Sequence, residues 1–137
     1  MTDKDYVSKD VAILLSKIGF EEKCSAYYNK VFKDVLVHAN VRRGGYVTKY
    51  TIKVEDEGVL APTLYEAQMW LIDKFGLFVH IDYDIEFIFE LIDVGGKYNE
   101  LGENIILVYG NDNDSYQEAL NNGIKDAIEK FILKWND

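Results

Sequence analysis

The chain has 137 residues, 48% of them hydrophobic and 28% charged, the size and balance of one soluble globular domain rather than of a disordered segment. Fifteen lysines and arginines stand against twenty-four aspartates and glutamates, a net charge of −9. That field repels a phosphate backbone, so direct binding to nucleic acid and adhesion to an anionic membrane are both disfavoured.

Residues 1–20 lack the cationic start and apolar core of a signal peptide, and no apolar run approaches the ~18 residues that span a bilayer. Val7, Val11, Leu14, Leu15 and Ile18 recur at helical spacing, which predicts a first helix over Asp5–Ile18. Asp3 or Asp5 is expected to cap it, and Gly19 to end it with Phe20 folding back. Cys24, the only cysteine, excludes an intrachain disulfide and makes a reducing, cytoplasmic setting the expected one.

The signal then turns to β. Ala26-Tyr27-Tyr28 is a short candidate strand. Val35–Val41 and Tyr46–Val54 alternate around Arg42-Arg43-Gly44-Gly45, which predicts an antiparallel hairpin with a lysine-bearing wet face. Pro62 precedes Thr63-Leu64-Tyr65-Glu66, a capping-box pattern. A second helix is expected from there to Gly76, with Leu64, Ala67, Leu71 and Phe75 on one face and Trp70 on its flank.

From Leu77 to Leu91 every odd position is apolar, while the even positions hold His80, Asp82, Asp84, Glu86 and Glu90, interrupted by Phe78, Ile88 and, beyond, Ile92. Fifteen residues make a long strand, so a hairpin is expected, turning near Asp82-Tyr83-Asp84 with Ile81 opposite Ile85. One side would face a core and the other would be acidic and wet. Asp93–Asn104, with three glycines, reads as a loop. Ile105–Tyr109 reads as an interior strand, and Gly110–Asp114 as a turn. Ser115-x-x-Glu118 repeats the capping pattern ahead of a stripe from Tyr116 to Trp135, long enough for a helix of roughly 30 Å. The expected fold is a single α+β domain over residues 1–137, an antiparallel sheet of hairpins covered largely on one face by three helices.

Lys17-Ile18-Gly19-Phe20-Glu21-Glu22-Lys23-Cys24 with Ala26-Tyr27-Tyr28, Ala61-Pro62-Thr63 with Ala67 and Trp70-Leu71, and Tyr116-Gln117-Glu118-Ala119-Leu120 stand in this order along the chain. In these three patches the chain resembles a family of small uncharacterised proteins frequent in gut Bacteroidetes and in their phages and mobile elements. Where that family often has an Arg-Glu pair after the Trp-Leu, this chain has Ile72-Asp73. The resemblance implies a cellular setting, with no site residues to carry over.

Several constellations bear on chemistry. His80, Asp82 and Asp84 alternate on one strand edge, where imidazole and carboxylate could hold a divalent ion; a solvated hairpin face is the plainer account. Arg42, Arg43, Gly44 and Gly45 offer cations and free amides to an anion, although no Lys-Ser/Thr follows as a P-loop requires. Asn111–Ser115 has a calcium-loop flavour without the glycine and glutamate of an EF-hand. A Cys24–histidine dyad would need His38 or His80 to approach it.

The leading expectation is a small acidic, non-enzymatic protein-interaction module, an accessory of a phage or mobile element. His80, Asp82, Asp84, Glu86 and Glu90 would form its contact surface. It needs no cofactor and contacts neither nucleic acid nor membrane directly, and an open sheet edge would allow a homodimer. The alternatives are an acidic inhibitor occupying a nucleic-acid-binding site of another protein, and a metal-binding protein or hydrolase using His80 and adjacent carboxylates.

Overall fold

Extended backbone around Tyr6 and Val7 decides where the first helix can begin. Tyr6 bridges to Thr63, and the Val7 amide donates to the Pro62 carbonyl at 3.1 Å. These ties hold the chain extended up to Ser8, whose hydroxyl accepts from the Val11 amide at 3.4 Å. Helix α1 is therefore Lys9–Lys17, shorter at its start than the Asp5–Ile18 that periodicity suggests. Asp3 and Asp5 sit instead in a separate 3-10 turn, Asp3–Asp5. The helix ends as expected: Gly19 has φ 93, its amide reaches Ser16, and the Phe20 amide reaches Leu15. This is the paired hydrogen bonding of a left-handed helix terminus, closed by the buried Phe20 side chain.

The computed structural model describes residues 2–29, 35–39, 45–50 and 58–135. It divides into two compact units, Met1–Thr63 and Leu64–Asp137. Each unit carries one three-stranded antiparallel sheet, so the class is α+β.

In the first unit the strands are β1 (Ala26–Tyr28), β2 (Leu36–His38) and β3 (Val59–Leu60), in the order β2-β1-β3. The expected pairing of the 35–41 run with the 46–54 run is corrected here. Among the described residues β2 pairs with β1, and Val47 makes a single bridge with Cys24, exchanging both backbone hydrogen bonds at 2.7 and 2.9 Å. Burial of Ala26 and Tyr28 favours β1 as the central strand, and the Tyr28 hydroxyl ties it to the Val7 carbonyl at 2.7 Å. Residues 51–57 of the expected second strand lie outside the described residues. Lys49, on its predicted wet face, is exposed and pairs with Glu21. That hydrogen bond, before any other cause, holds its ammonium above the ordinary lysine value.

The second unit runs α2 (Leu64–Phe75), β4 (Leu77–Asp84), β5 (Glu86–Asp93), β6 (Ile105–Asn113) and α3 (Tyr116–Asp126). A π-helical turn, Ala127–Ile132, and a last helical turn α4, Leu133–Trp135, follow. Helix α2 begins directly after Thr63, and Gly76 stops it with φ 69. A side chain there would also meet the Val94 carbonyl oxygen at 2.7 Å, while the Gly76 carbonyl accepts from the Val94 amide at 2.8 Å. Only glycine satisfies both conditions.

The β4–β5 hairpin pairs Leu77 with Asp93 through to Asp84 with Glu86. Its turn is centred on Ile85, two residues later than expected, and Ile81 faces Phe89 rather than Ile85. The longer pairing brings the Tyr83 and Phe87 rings to 4.9 Å and leaves Ile85 at an exposed tip with φ 71. Strand β6 is also corrected. It extends through Asn113, pairs with β5 alone among the described strands, and is not interior, since Ile106 and Tyr109 are 53% and 69% exposed. Its pairing shifts register twice, between Phe87 and Phe89 and between Leu91 and Ile92.

The sheet's other face meets the helices. Phe89, Leu91, Leu77 and Val79 are buried there, with Leu71 of α2 and Leu120, Ile124, Ile128 and Ile132 of the C-terminal stripe. Two glycines make room for the Phe89 ring. Gly110 lies beneath it on β6, and Gly123 of α3 faces both Val79 and Phe89. Gln68 Nε2 ties α2 to β4 by donating to the Val79 carbonyl at 2.6 Å. The stripe starts as expected, with Ser115 Oγ accepting from the Glu118 amide and the Glu118 carboxylate accepting from the Asp114 amide. The unbroken α-helix expected over this stripe changes to π geometry at Ala127, and the Leu133 amide reaches back five residues to the Ile128 carbonyl. The Trp135 side chain lies outside the described set.

Loop 94–104 is organised by Asp93, fully buried at the end of β5. Its Oδ2 accepts from the Tyr98 amide at 2.7 Å and from Asn99 Nδ2 at 2.6 Å. Asn99 in turn bonds Leu101 and Glu103. Burial first, and then the Asp93 charge, push the Tyr98 hydroxyl above its ordinary value of 10.0. Because the folded value lies above the unfolded one, the associated stability is complete below about pH 10 and is lost as pH rises through the folded value. Denaturant titrations from pH 9 to 11 are expected to show a steeper alkaline loss for the parent than for Tyr98→Phe.

Candidate functional site

Successive side chains of a strand point to opposite faces. With the odd-numbered face of β4 and β5 under the helices, the even-numbered face carries Phe78, His80, Asp82 and Asp84 from β4 and Glu86, Ile88, Glu90 and Ile92 from β5. Strand β6 adds Ile106, opposite Ile92, and Tyr109, opposite Glu90. Among the described residues of this unit no helix lies over this face.

Two cross-strand rows define its chemistry. Phe78, Ile92 and Ile106 form an apolar row, and His80, Glu90 and Tyr109 form a polar one beside it. Asp82, Asp84 and Glu86 continue toward the hairpin tip. The strands carry no lysine or arginine: the basic residues of this unit are Lys74 on α2, Lys97 in the loop, and Lys125, Lys130 and Lys134 at the C-terminal end. Bases are thus absent from the strands, whereas acids stand both on this sheet face and on the helices and loop, at Glu66, Asp73, Glu118, Asp126 and Glu129 and at Glu100 and Glu103.

The candidate metal ligands divide. His80 and Asp82 come together, but their third neighbour is Glu90, with ligand atoms of all three within 4.8 Å of one another. Asp84 stands nearer the tip, opposite Glu86. Glu90 was legible as part of the acidic face but not as a neighbour of His80, because a turn at Tyr83 sets Glu86 opposite His80 and a turn at Ile85 sets Glu90 there. The Phe78 ring lies 6.1 Å from the imidazole, and Asp82 Oδ1 accepts from the Tyr83 amide at 2.8 Å.

The other candidates carry less. Arg42, Arg43 and Gly44 lie outside the described residues, and Gly45 alone of that loop is described, with φ 73. Cys24 is buried with its thiol on the Glu22 carbonyl at 3.4 Å. His38 turns to Asp3, with Nε2 to Oδ1 at 2.9 Å, and to the edge of the Tyr6 ring at 5.3 Å. The Asn111–Ser115 segment is accounted for by the end of β6 and the α3 cap. There Asn113 Nδ2 donates to the Phe87 carbonyl, and its Oδ1 accepts from Asn122 of α3 at 2.8 Å.

Fold and face together define the class, an α+β protein whose second unit has a sheet face turned away from its own helices, acidic along one half and apolar along the other. No protein-family model, curated protein or solved structure matches this chain. Among the described residues no helix is long and apolar enough to cross a membrane.

Proposed function

We propose that this is a non-enzymatic interaction protein. The open face of the β4-β5-β6 sheet docks a partner protein that presents a basic surface with an apolar edge. One observation carries the reading: Tyr109 and Ile106, 69% and 53% exposed, share a face with Asp82, Asp84, Glu86 and Glu90, and no cation stands on any of its three strands. Amphipathic tyrosine beside carboxylates suits a contact that buries rings and pairs charge. The run of Asp82, Asp84 and Glu86 toward the tip also supports a narrower version, in which the partner's basic surface is a nucleic-acid-binding site. An accessory role in a phage or mobile element is the setting that the sequence resemblance adds to this proposal, and the genes beside the coding sequence test it.

Affinity capture of the tagged chain from its native host, read by mass spectrometry beside an Ile106→Ser/Tyr109→Ala variant, tests the docking face. A partner with a basic surface is expected with the parent, is lost with the variant, and is released by raising salt toward 1 M, where the screening length falls to about 3 Å. Equal recovery by parent and variant, or release insensitive to salt, would count against this face. Competition by nucleic acid for the captured partner separates the narrower version from the broader one.

A further inference from the structure

The geometry points to a divalent transition-metal site formed by His80, Asp82 and Glu90 on the open face of the β4-β5-β6 sheet. The three positions are fixed by hydrogen-bonded strands: His80 and Glu90 are direct cross-strand partners, and Asp82 is the next residue on the same face of β4. Their ligand atoms lie within 4.8 Å of one another. Ligands about 2.1 Å from a common ion stand roughly 3 to 4 Å apart, so small side-chain rotations close the set.

The donor chemistry selects the ion. One imidazole and two carboxylates suit zinc, manganese or cobalt, whereas calcium and magnesium take oxygen ligands alone. The charge balance agrees. Among the described residues no lysine or arginine forms an ion pair with Asp82 or Glu90, and a divalent ion would neutralise the two like charges that the register forces together. Glu90 is half-buried between His80 and Tyr109, and the Phe78 ring flanks the imidazole, which limits how far either ligand swings. Three protein ligands leave the remaining coordination positions to water or to a donor atom from outside the chain. The site goes beyond the docking reading and does not rest on it, because ion binding is a property of the isolated chain.

Purified chain stripped with a chelator and titrated calorimetrically with zinc or manganese tests this. One ion per chain is expected, with His80→Ala and Glu90→Gln each weakening it by about tenfold or more as one of three ligands is lost. Asp84→Asn is expected to stay within about twofold, because that carboxylate lies outside the set. Thermal melts without metal establish that each variant is folded. In the parent, manganese is expected to broaden backbone amide resonances first around residues 80, 82 and 90. Absence of binding, affinity unchanged in both ligand variants, calcium binding as tightly as zinc, or broadening centred elsewhere would each overturn the site.

Discussion

Phe89→Ala is expected to lower the unfolding free energy by about 4 kcal/mol, the scale for removing a buried aromatic ring and leaving a cavity. The side chain is 4% exposed and fills a slot built around it, with Gly110 beneath and Gly123 above. The same slot predicts a coupling. Gly110→Ala places a methyl group against the ring itself, and overpacking of this kind costs about 1–3 kcal/mol. With the ring removed, the same methyl has space. Gly110→Ala is therefore expected to destabilise the parent but to be neutral or stabilising in the Phe89→Ala background. Urea denaturation of the two single variants and the double variant measures this coupling, with an interaction energy above about 1 kcal/mol expected for residues in contact. Additive effects would mean that the ring does not occupy the slot.

Asp93→Ala is expected to lose about 3 kcal/mol, because it strips a buried amide and the Asn99 side chain of their shared acceptor. The loop from Val94 to Asn104 would loosen first, seen as faster hydrogen exchange at the Tyr98 amide. Asp93→Asn should behave differently. The Tyr98 and Asn99 bonds both converge on Oδ2, so the amide oxygen of asparagine can keep them. The other oxygen, Oδ1, is buried without a hydrogen-bond partner among the described residues. Removing the charge relieves its desolvation. The asparagine variant is expected within about 1 kcal/mol of the parent. If it falls as far as the alanine variant, the charge itself is needed there.

Local instructions were legible and long-range register was not. Gly19, Gly76 and Ser115 gave correct helix ends because a terminus is governed by a few neighbouring residues. The Ala26–Tyr28 strand and the loop after Asp93 were likewise readable. The two faces of the 77–93 hairpin were correct because alternation fixes parity, but a turn at Tyr83 and one at Ile85 give the same parity. That ambiguity concealed the His80–Glu90 pairing and with it the third candidate ligand. The partner of β2 and the exposure of β6 were hidden for a related reason. A short apolar run reads alike whether it is central or at an edge, and only the tertiary arrangement decides. Gly110 and Gly123 read as a turn residue and a stripe residue, since a slot for a ring is a property of three separated segments.

The two register shifts along β6 bear on how the protein behaves at high concentration. β6 is an outermost strand of its sheet among the described residues, and an outer strand can template aggregation by recruiting another chain's backbone. Such recruitment needs an unbroken ladder. Between the two shifts only Val108, Tyr109 and Gly110 continue in a single register against β5. An incoming strand would find three residues before the pleat slips and its side chains fall out of step. The irregular strand therefore discourages fibrous growth from this edge, while Tyr109 and Ile106 stay exposed on the sheet's face rather than along its hydrogen-bonding edge.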